Sequence, residues 1–427
     1  MGAGAQPVAD AGWHVAWSPE EGARRAREVF ARAFGDDPAD GAVAGVWSAP
    51  GRVNLIGEHT DYNAGLCLPT ALPHRTYVAL RPRPVDVVRL ASAQADGLWE
   101  ADLADVGAAV DAAGEGVSGW GAYLAGVAWA LREAGHAVGG FDAAVDSCVP
   151  FGASLSSSAA LESAVAAALD DVHGLGLGDT VAGRSRLVEA CVRAENDVAG
   201  AATGGLDQSA SLLCRADEAL LLDFRPGLPP EEHAVPLPWD LASAGLVLLA
   251  VDTRAPHRLV DGQYAARRAS CERAAALLGL GSLREVDPGT LEDALAALEP
   301  HDLDGVLRRR VRHVVTETAR TADVAELVRA GAYAQVGALM TASHVSLRDD
   351  FEVTVPELDL AVVASLAAGA LGARMTGGGF GGSTLALVRA GDVDAVVAEV
   401  RTAFADAGLA DPAFLLAPPS APAGRTD

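Results

Sequence analysis

Arg52, Glu58, His59 and Asp61 fall within ten residues of one another, inside the stretch Gly51–Gly65, G-R-V-N-L-I-G-E-H-T-D-Y-N-A-G. One fixed cation, two carboxylates and an imidazole in so short a window can hydrogen-bond a polyhydroxylated ligand from several directions. The arginine can meanwhile face an anionic group. The plain alternative is a surface loop with solvated charges. Two later segments weigh against that alternative. The first is Gly152-Ala153-Ser154-Leu155-Ser156-Ser157-Ser158-Ala159, which a strand enters and a long Ala/Leu helix leaves. The first turn of a helix has unpaired N–H groups and the positive end of the macrodipole, so this arrangement suits phosphate binding. Consecutive serines add hydroxyl donors, one of which can ligate Mg²⁺, although a single serine there would read as an ordinary helix cap. The second segment pairs Glu195, at a helix end, with Asp207, after the loop Gly200-Ala201-Ala202-Thr203-Gly204-Gly205. One carboxylate of such a pair can hold Mg²⁺ while the other orients or deprotonates a hydroxyl. In a chain with 57 acidic residues the pair alone says little. The glycine run 377–382 allows close backbone approach to a ligand or to another loop.

The rest of the composition narrows the chemistry. All 32 basic residues are arginines, so mechanisms built on a lysine are excluded: P-loop NTPases, protein kinases with their strand lysine, Schiff-base enzymes. Backbone amides must then carry most of any phosphate recognition. A net charge of −25 opposes nucleic acid and anionic membranes as partners. Five scattered cysteines suit reduced, buried thiols in a cytoplasmic protein rather than a disulfide frame or a zinc site. No apolar run reaches the length of a membrane span, and the N-terminus lacks a secretory pattern.

Several elements must position these groups. Helices are expected over 20–34, 120–134, 157–172, 186–198, 263–278, 301–318, 324–343, 357–368 and 393–407. Strands are expected over 43–47, 75–81, 141–149, 209–214, 219–224, 246–252, 373–376 and 383–389, with a last one near Phe414. Residues 1–17 read as a flexible leader and 418–427 as a Pro-rich disordered tail. The Pro-rich segment 226–238 divides an N-terminal lobe, 18–225, from a C-terminal lobe, 240–417. The mixture of strands and helices predicts two α+β lobes.

The three segments, in this order and at these separations, resemble the galactokinases of the GHMP sugar kinase superfamily. G-R-V-N-L-I-G-E-H-T-D-Y-N is similar to the galactokinase signature, P-F-G-A-S-L-S-S-S-A-A-L-E to the shared ATP-phosphate motif, and R-M-T-G-G-G-F-G-G-S to the third motif. The resemblance spans about residues 20–410. It implies a ribosomal-S5-like N-terminal lobe with a mixed sheet and a ferredoxin-like C-terminal lobe, with the active site between them. It also implies ATP-dependent phosphorylation of α-D-galactose at its anomeric hydroxyl, the first committed step of galactose catabolism, in a cytoplasmic monomer.

Position by position, Asp207 matches the family's catalytic aspartate, and Arg52 the arginine proposed to keep it ionised and to steady the transferring group. Ser158 and Glu195 match the Mg²⁺ ligands. Glu58, His59, Asp61, the Gly204–Gly205 backbone and Tyr264 match sugar contacts, and Gly152 to Ala159 the ATP-phosphate loop. Ser154 stands where the family usually has glycine, which matters if that position needs a positive φ. Ser383 replaces a common cysteine and is expected to be silent. The resemblance leaves two other readings open: a related sugar 1-kinase acting on N-acetylgalactosamine or arabinose, and a non-catalytic galactose sensor.

Overall fold

The computed structural model describes residues 12–35, 42–107, 116–255 and 260–427, without the side chains of 260 and 261. Alternating side chains organise the N-terminal part. Trp47, Ala49, Val78, Leu80 and Val145 face one way, into a core shared with helices Gly121–Glu133, Ser157–His173, Val181–Arg193 and Leu206–Leu213. Val46, Tyr77, Ala79 and Ala144 face the other way, onto helix Pro19–Phe34. The sheet between them runs in the order Gly424–Arg425, Gly45–Asn54, Pro69–Pro82, Phe141–Ser147, Val87–Ser92, Ala95–Asp102. Among the described residues of this sheet, only the pairing of Phe141–Ser147 with Val87–Ser92 is parallel. A small sheet joins Leu66–Cys67, Glu218–Asp223 and Ala234–Pro238.

The C-terminal part is an antiparallel sheet in the order Gly372–Thr376, Ser383–Arg389, Leu246–Asp252, Ala413–Leu416. Helices Pro356–Ala367 and Val393–Asp406 cover one face through Val251, Val388, Phe404 and Phe414. The other face presents Leu248, Ala250, Leu385 and Leu387 to Val53, Leu55, Leu68 and Leu72 of the N-terminal part. One hydrophobic cluster therefore joins the two lobes behind the site, and burial of this kind is worth about 25 cal/mol per Å² of apolar surface.

Several expectations need correction. Residues 209–214 were expected as a strand, but Leu206–Leu213 is a helix opened by Gly205 at φ 97°. Its alternating serines, Ser209 and Ser211, are both buried rather than facing solvent, and Ser211 donates to the Pro50 carbonyl at 2.9 Å. The helices expected over 301–318 and 324–343 are instead Val306–Arg329 and Tyr333–Ser346, broken at Gly331 (φ 67°). Thr321 does not interrupt the first of them, because its hydroxyl returns to the Glu317 carbonyl. The segment 226–238 is no bare linker, since it contributes a short helix and a paired strand.

Nor is the tail disordered. Gly424–Arg425 pairs with Trp47 and Ser48, Ser420 and Ala423 donate to Ala71 and Ser211, and Arg75 takes the carbonyls of Ala421 and Pro422. The prolines of the tail, Pro418, Pro419 and Pro422, precede the edge strand and remove none of its ladder bonds, so a Pro-rich composition does not mark a frayed end here. Of the leader, residues 1–11 lie outside the described residues, while Trp13 packs on Phe414 and Trp17 on Tyr77. Strands Val87–Ser92 and Ala95–Asp102 had no counterpart in the sequence reading.

Candidate active site

Two cavities open between the lobes, and Arg52, Asp207 and Gly378 line both. Arg52 leaves strand Gly45–Asn54 at an irregularity in its register between Pro50 and Arg52. Gly51 allows this: a Cβ there would lie 2.6 Å from the Leu155 carbonyl oxygen, to which Arg52 N–H donates at 3.1 Å. The bulge aims the guanidinium at the phosphate loop. Arg52 Nε and Nη2 both lie 2.7 Å from Asp207 Oδ1, while Nη1 donates to the Ser154 carbonyl at 2.7 Å. Asp207 sits in the first turn of its helix, and its second oxygen accepts from Ser156 Oγ at 2.5 Å.

The larger cavity, about 1000 Å³, follows the loop Gly152–Ser158. Ser156 precedes helix Ser157–His173 in the left-handed region, φ 61°, and no side chain caps the first turn. The amides at that end are available to a ligand. Gly152, Ser154, Leu155, Ser156, Ser157 and Ser158 line the cavity, whereas Ala153 and Ala159 are buried behind it. The substitution at 154 is answered directly: Ser154 adopts φ 59°, so a serine occupies the left-handed conformation that favours glycine. The Ser383 hydroxyl donates to the Ala153 carbonyl at 2.7 Å and ties the C-terminal sheet to the loop.

The smaller cavity, about 140 Å³, is lined by Asn54, Glu58, His59, Asp61, Glu195, Tyr264 and Gly377 among others. Asp61 faces it with a carboxyl raised to about 6, chiefly by burial and further by the charge of Asp207. Gly204 packs so closely on Asp61 that a Cβ would lie 2.0 Å from Oδ2, and Gly205 opens the helix that carries Asp207. His59, at φ 61°, is held between the Tyr62 hydroxyl (3.0 Å) and the Gly378 carbonyl (3.1 Å). Burial, with the neighbouring His313, lowers its pKa to about 3, so the ring is neutral. Its ring packs at a tilt against those of Tyr264 and Phe351.

Glu58 reaches the same wall, but its oxygens are already engaged. Oε2 accepts from Asn54 Nδ2 at 2.6 Å and lies 2.7 Å from Arg374 Nη2; Oε1 accepts from Gly377 N–H at 2.8 Å. Burial pushes this carboxyl upward against the pull of Arg374.

Behind the serines, Ser158 Oγ donates to Glu195 Oε1 at 3.0 Å. Glu195 belongs to a π-helical turn, Ala194–Val198, that re-aims it at the end of its helix. Gln208 Nε2 bridges Glu195 and Glu162, whose other oxygen is buried without a partner. Burial raises Glu195 to about 7, with the charge of Asp207 adding to the effect. Arg374, Asn54, Thr376, Gln208 and Glu162 escaped the sequence reading. All lie in or beside the quoted motifs, and the available signal for Arg374 was its place three residues before the glycine run.

Comparison with known proteins agrees with this geometry. Residues 28–82 match the galactokinase galactose-binding signature, 122–215 the GHMP kinases N-terminal domain and 324–406 the GHMP kinases C-terminal domain. The chain is 48% identical over 398 residues to a galactokinase of Streptomyces coelicolor, covering 93% of this chain and 97% of the relative. A galactokinase of Mycobacterium bovis is 46% identical over 367 residues, with coverage of 86% and 95%. Among solved structures, Lactococcus lactis galactokinase complexed with galactose superposes with a TM-score of 0.82 at 31% identity, covering 93% of this chain and 98% of that one. The Methanococcus jannaschii mevalonate kinase, at a TM-score of 0.59 and 14% identity over 88% and 98% of the two chains, shares the fold.

Proposed function

The chain belongs to the galactokinase family of GHMP kinases, and from that membership we propose how its residues divide the work. It is an ATP-dependent kinase that phosphorylates galactose. In this reading the acceptor is the anomeric hydroxyl of α-D-galactose and the products are galactose 1-phosphate and ADP. The sugar takes the smaller cavity, with Asp61, His59, Tyr264 and the Gly204–Gly205 backbone around it. The nucleotide takes the larger one, its phosphates on the amides that open helix Ser157–His173. The observation that carries the assignment is the position of Asp207 and Arg52 in the wall common to both cavities.

Phosphoryl transfer is largely dissociative, so alignment and charge stabilisation are the protein's task. Asp207 orients the acceptor hydroxyl and takes its proton late, because a sugar hydroxyl is far less acidic than a carboxylic acid. Arg52, already on Asp207 and on the Ser154 carbonyl, offsets charge developing on the transferring group. Ser156 leaves Asp207 Oδ2 to make room for the sugar hydroxyl.

Mg²⁺ fits the donors behind the loop. Ser158 and Glu195 supply hard oxygens 3.0 Å apart, the unpartnered Glu162 oxygen lies in the same buried cluster, and one or two carboxylates plus substrate phosphates are the usual Mg²⁺ environment. Held by Ser158 and Glu195, Mg²⁺ would supply positive charge to offset that of the phosphates. We further take the protein as a cytoplasmic monomer. Its five free cysteines fit a reducing compartment, and no described helix is long and apolar enough to cross a membrane.

The test is ADP release in a coupled assay with galactose, glucose, 2-deoxygalactose and N-acetylgalactosamine. A higher kcat/KM for galactose than for the others is expected. A preference for glucose overturns the substrate assignment, and no ADP release with any sugar overturns the kinase.

A further inference from the structure

We propose that Arg374 is a positioning residue for sugar recognition: from the C-terminal sheet it fixes the loop that carries Glu58, His59 and Asp61. The proposal rests on the sugar cavity assigned above. Arg374 is fully buried on strand Gly372–Thr376. Its Nη1 donates to the Asn54 carbonyl at 3.0 Å, and its Nη2 lies 2.7 Å from Glu58 Oε2 and 3.7 Å from Glu317 Oε1. One planar guanidinium thus holds both the start and the middle of the sugar loop.

The residues that follow it continue the grip. Thr376 Oγ1 accepts from Asn54 N–H at 3.0 Å, Gly377 N–H donates to Glu58 at 2.8 Å, and the Gly378 carbonyl meets His59 Nε2 at 3.1 Å. From the other side Glu317, on the long helix Val306–Arg329, accepts from Gly57 N–H at 3.0 Å. Two carboxylates, Glu58 and Glu317, are matched by two guanidiniums, Arg374 and Arg320. Removing the charge at 374 leaves Glu58 buried without its cation and takes from the Asn54 carbonyl one of its two donors, the other being Thr376 Oγ1.

The phosphate loop takes no hydrogen bond from Arg374 and meets its strand only through the glycines that follow, Gly377 packing on Ser154. It is held by Arg52, by Ser383 on the Ala153 carbonyl and by Arg52 N–H on Leu155. The effect of Arg374 should therefore separate the two substrates, which a merely structural ion pair would not do.

The experiment measures KM for galactose, KM for ATP, kcat and melting temperature for the wild type, Arg374→Met and Arg374→Lys. Arg374→Met should lower kcat/KM for galactose by about 10²-fold through misplacement of the loop. KM for ATP should stay within about threefold of wild type. Arg374→Lys keeps the charge but not the fork, and should show the same split, smaller; it also decides the matter if the methionine variant does not fold. Equal changes in both KM values, or a lowered melting temperature with galactose KM unchanged, overturn the proposal. A wild type inactive with galactose and ATP would refute the proposed function itself, a separate outcome.

Discussion

Ser156 Oγ donates to Asp207 Oδ2 at 2.5 Å, so a residue of the phosphate loop and the proposed base are joined directly. With Arg52 on Oδ1, every acceptor direction used on Asp207 leads to a neighbouring element of the site. Asp207→Asn should fold and lose about 10²–10⁴ in kcat. Ser156→Ala should keep most activity if its hydroxyl only parks the carboxylate. Both are read by steady-state kinetics with circular dichroism as the folding control; near-normal kcat in folded Asp207→Asn rejects the base assignment.

Gly204→Ala should injure sugar binding without altering any side chain that touches the ligand. The added methyl would lie 2.0 Å from Asp61 Oδ2, so the carboxylate must move. KM for galactose is expected to rise about tenfold or more while KM for ATP holds, a loss of binding made equally in ground and transition states. Unchanged galactose KM would show that Asp61 has room to spare.

Asp61 should give sugar binding an acid limb. Burial, then the Asp207 charge, raises its carboxyl to about 6, so it is protonated below that pH and a weaker acceptor for sugar hydroxyls. kcat/KM for galactose should fall as pH drops through about 6, and Asp61→Asn should remove that part of the fall while leaving the part set by Glu195 near 7. The linkage has the opposite sign for folding. Between the ordinary 3.8 and about 6 the unfolded chain ionises while the folded one does not, so stability is lost as pH rises. Asp61→Asn should therefore raise the melting temperature at pH 8 and leave it unchanged near pH 3.5. The gain is on the order of 1–2 kcal/mol, allowing for the partial exposure of the group.

Deleting residues 424–427 should destabilise the protein. The strand pairing to Trp47 and Ser48 goes, with the Arg27–Asp427 ion pair and the bond from Val46 N–H to Asp427. An edge strand and one half-exposed ion pair amount to about 1–3 kcal/mol, and thermal melts of the truncated and full chains measure it. Equal melts would mean that the terminal strand contributes no stability.

The motifs were legible because their chemistry is local. The serine loop, Arg52 and Asp207 announce themselves by residue type and order, and the structure brings them within hydrogen-bond reach. What stayed hidden depends on long-range pairing. Arg374 matters through Asn54 and Glu58, some 320 positions away in the chain, and no window of sequence contains both ends of that contact. The helix at 206–213 was misread because its serines alternate in a strand-like way, yet both are buried and Ser211 finds its partner in a carbonyl of another element. Glu58 was expected to read sugar hydroxyls; only the folded chain reveals that its acceptor positions are spent on Asn54, Arg374 and Gly377.

The absence of lysine acquires a meaning once the sugar cavity is in view. Galactose in its open form is an aldehyde, and aldehydes condense with uncharged side-chain amines. Every fixed cation around this cavity, Arg52 and Arg374 included, is instead a guanidinium. An enzyme that handles a reducing sugar here offers that sugar no lysine amine to glycate.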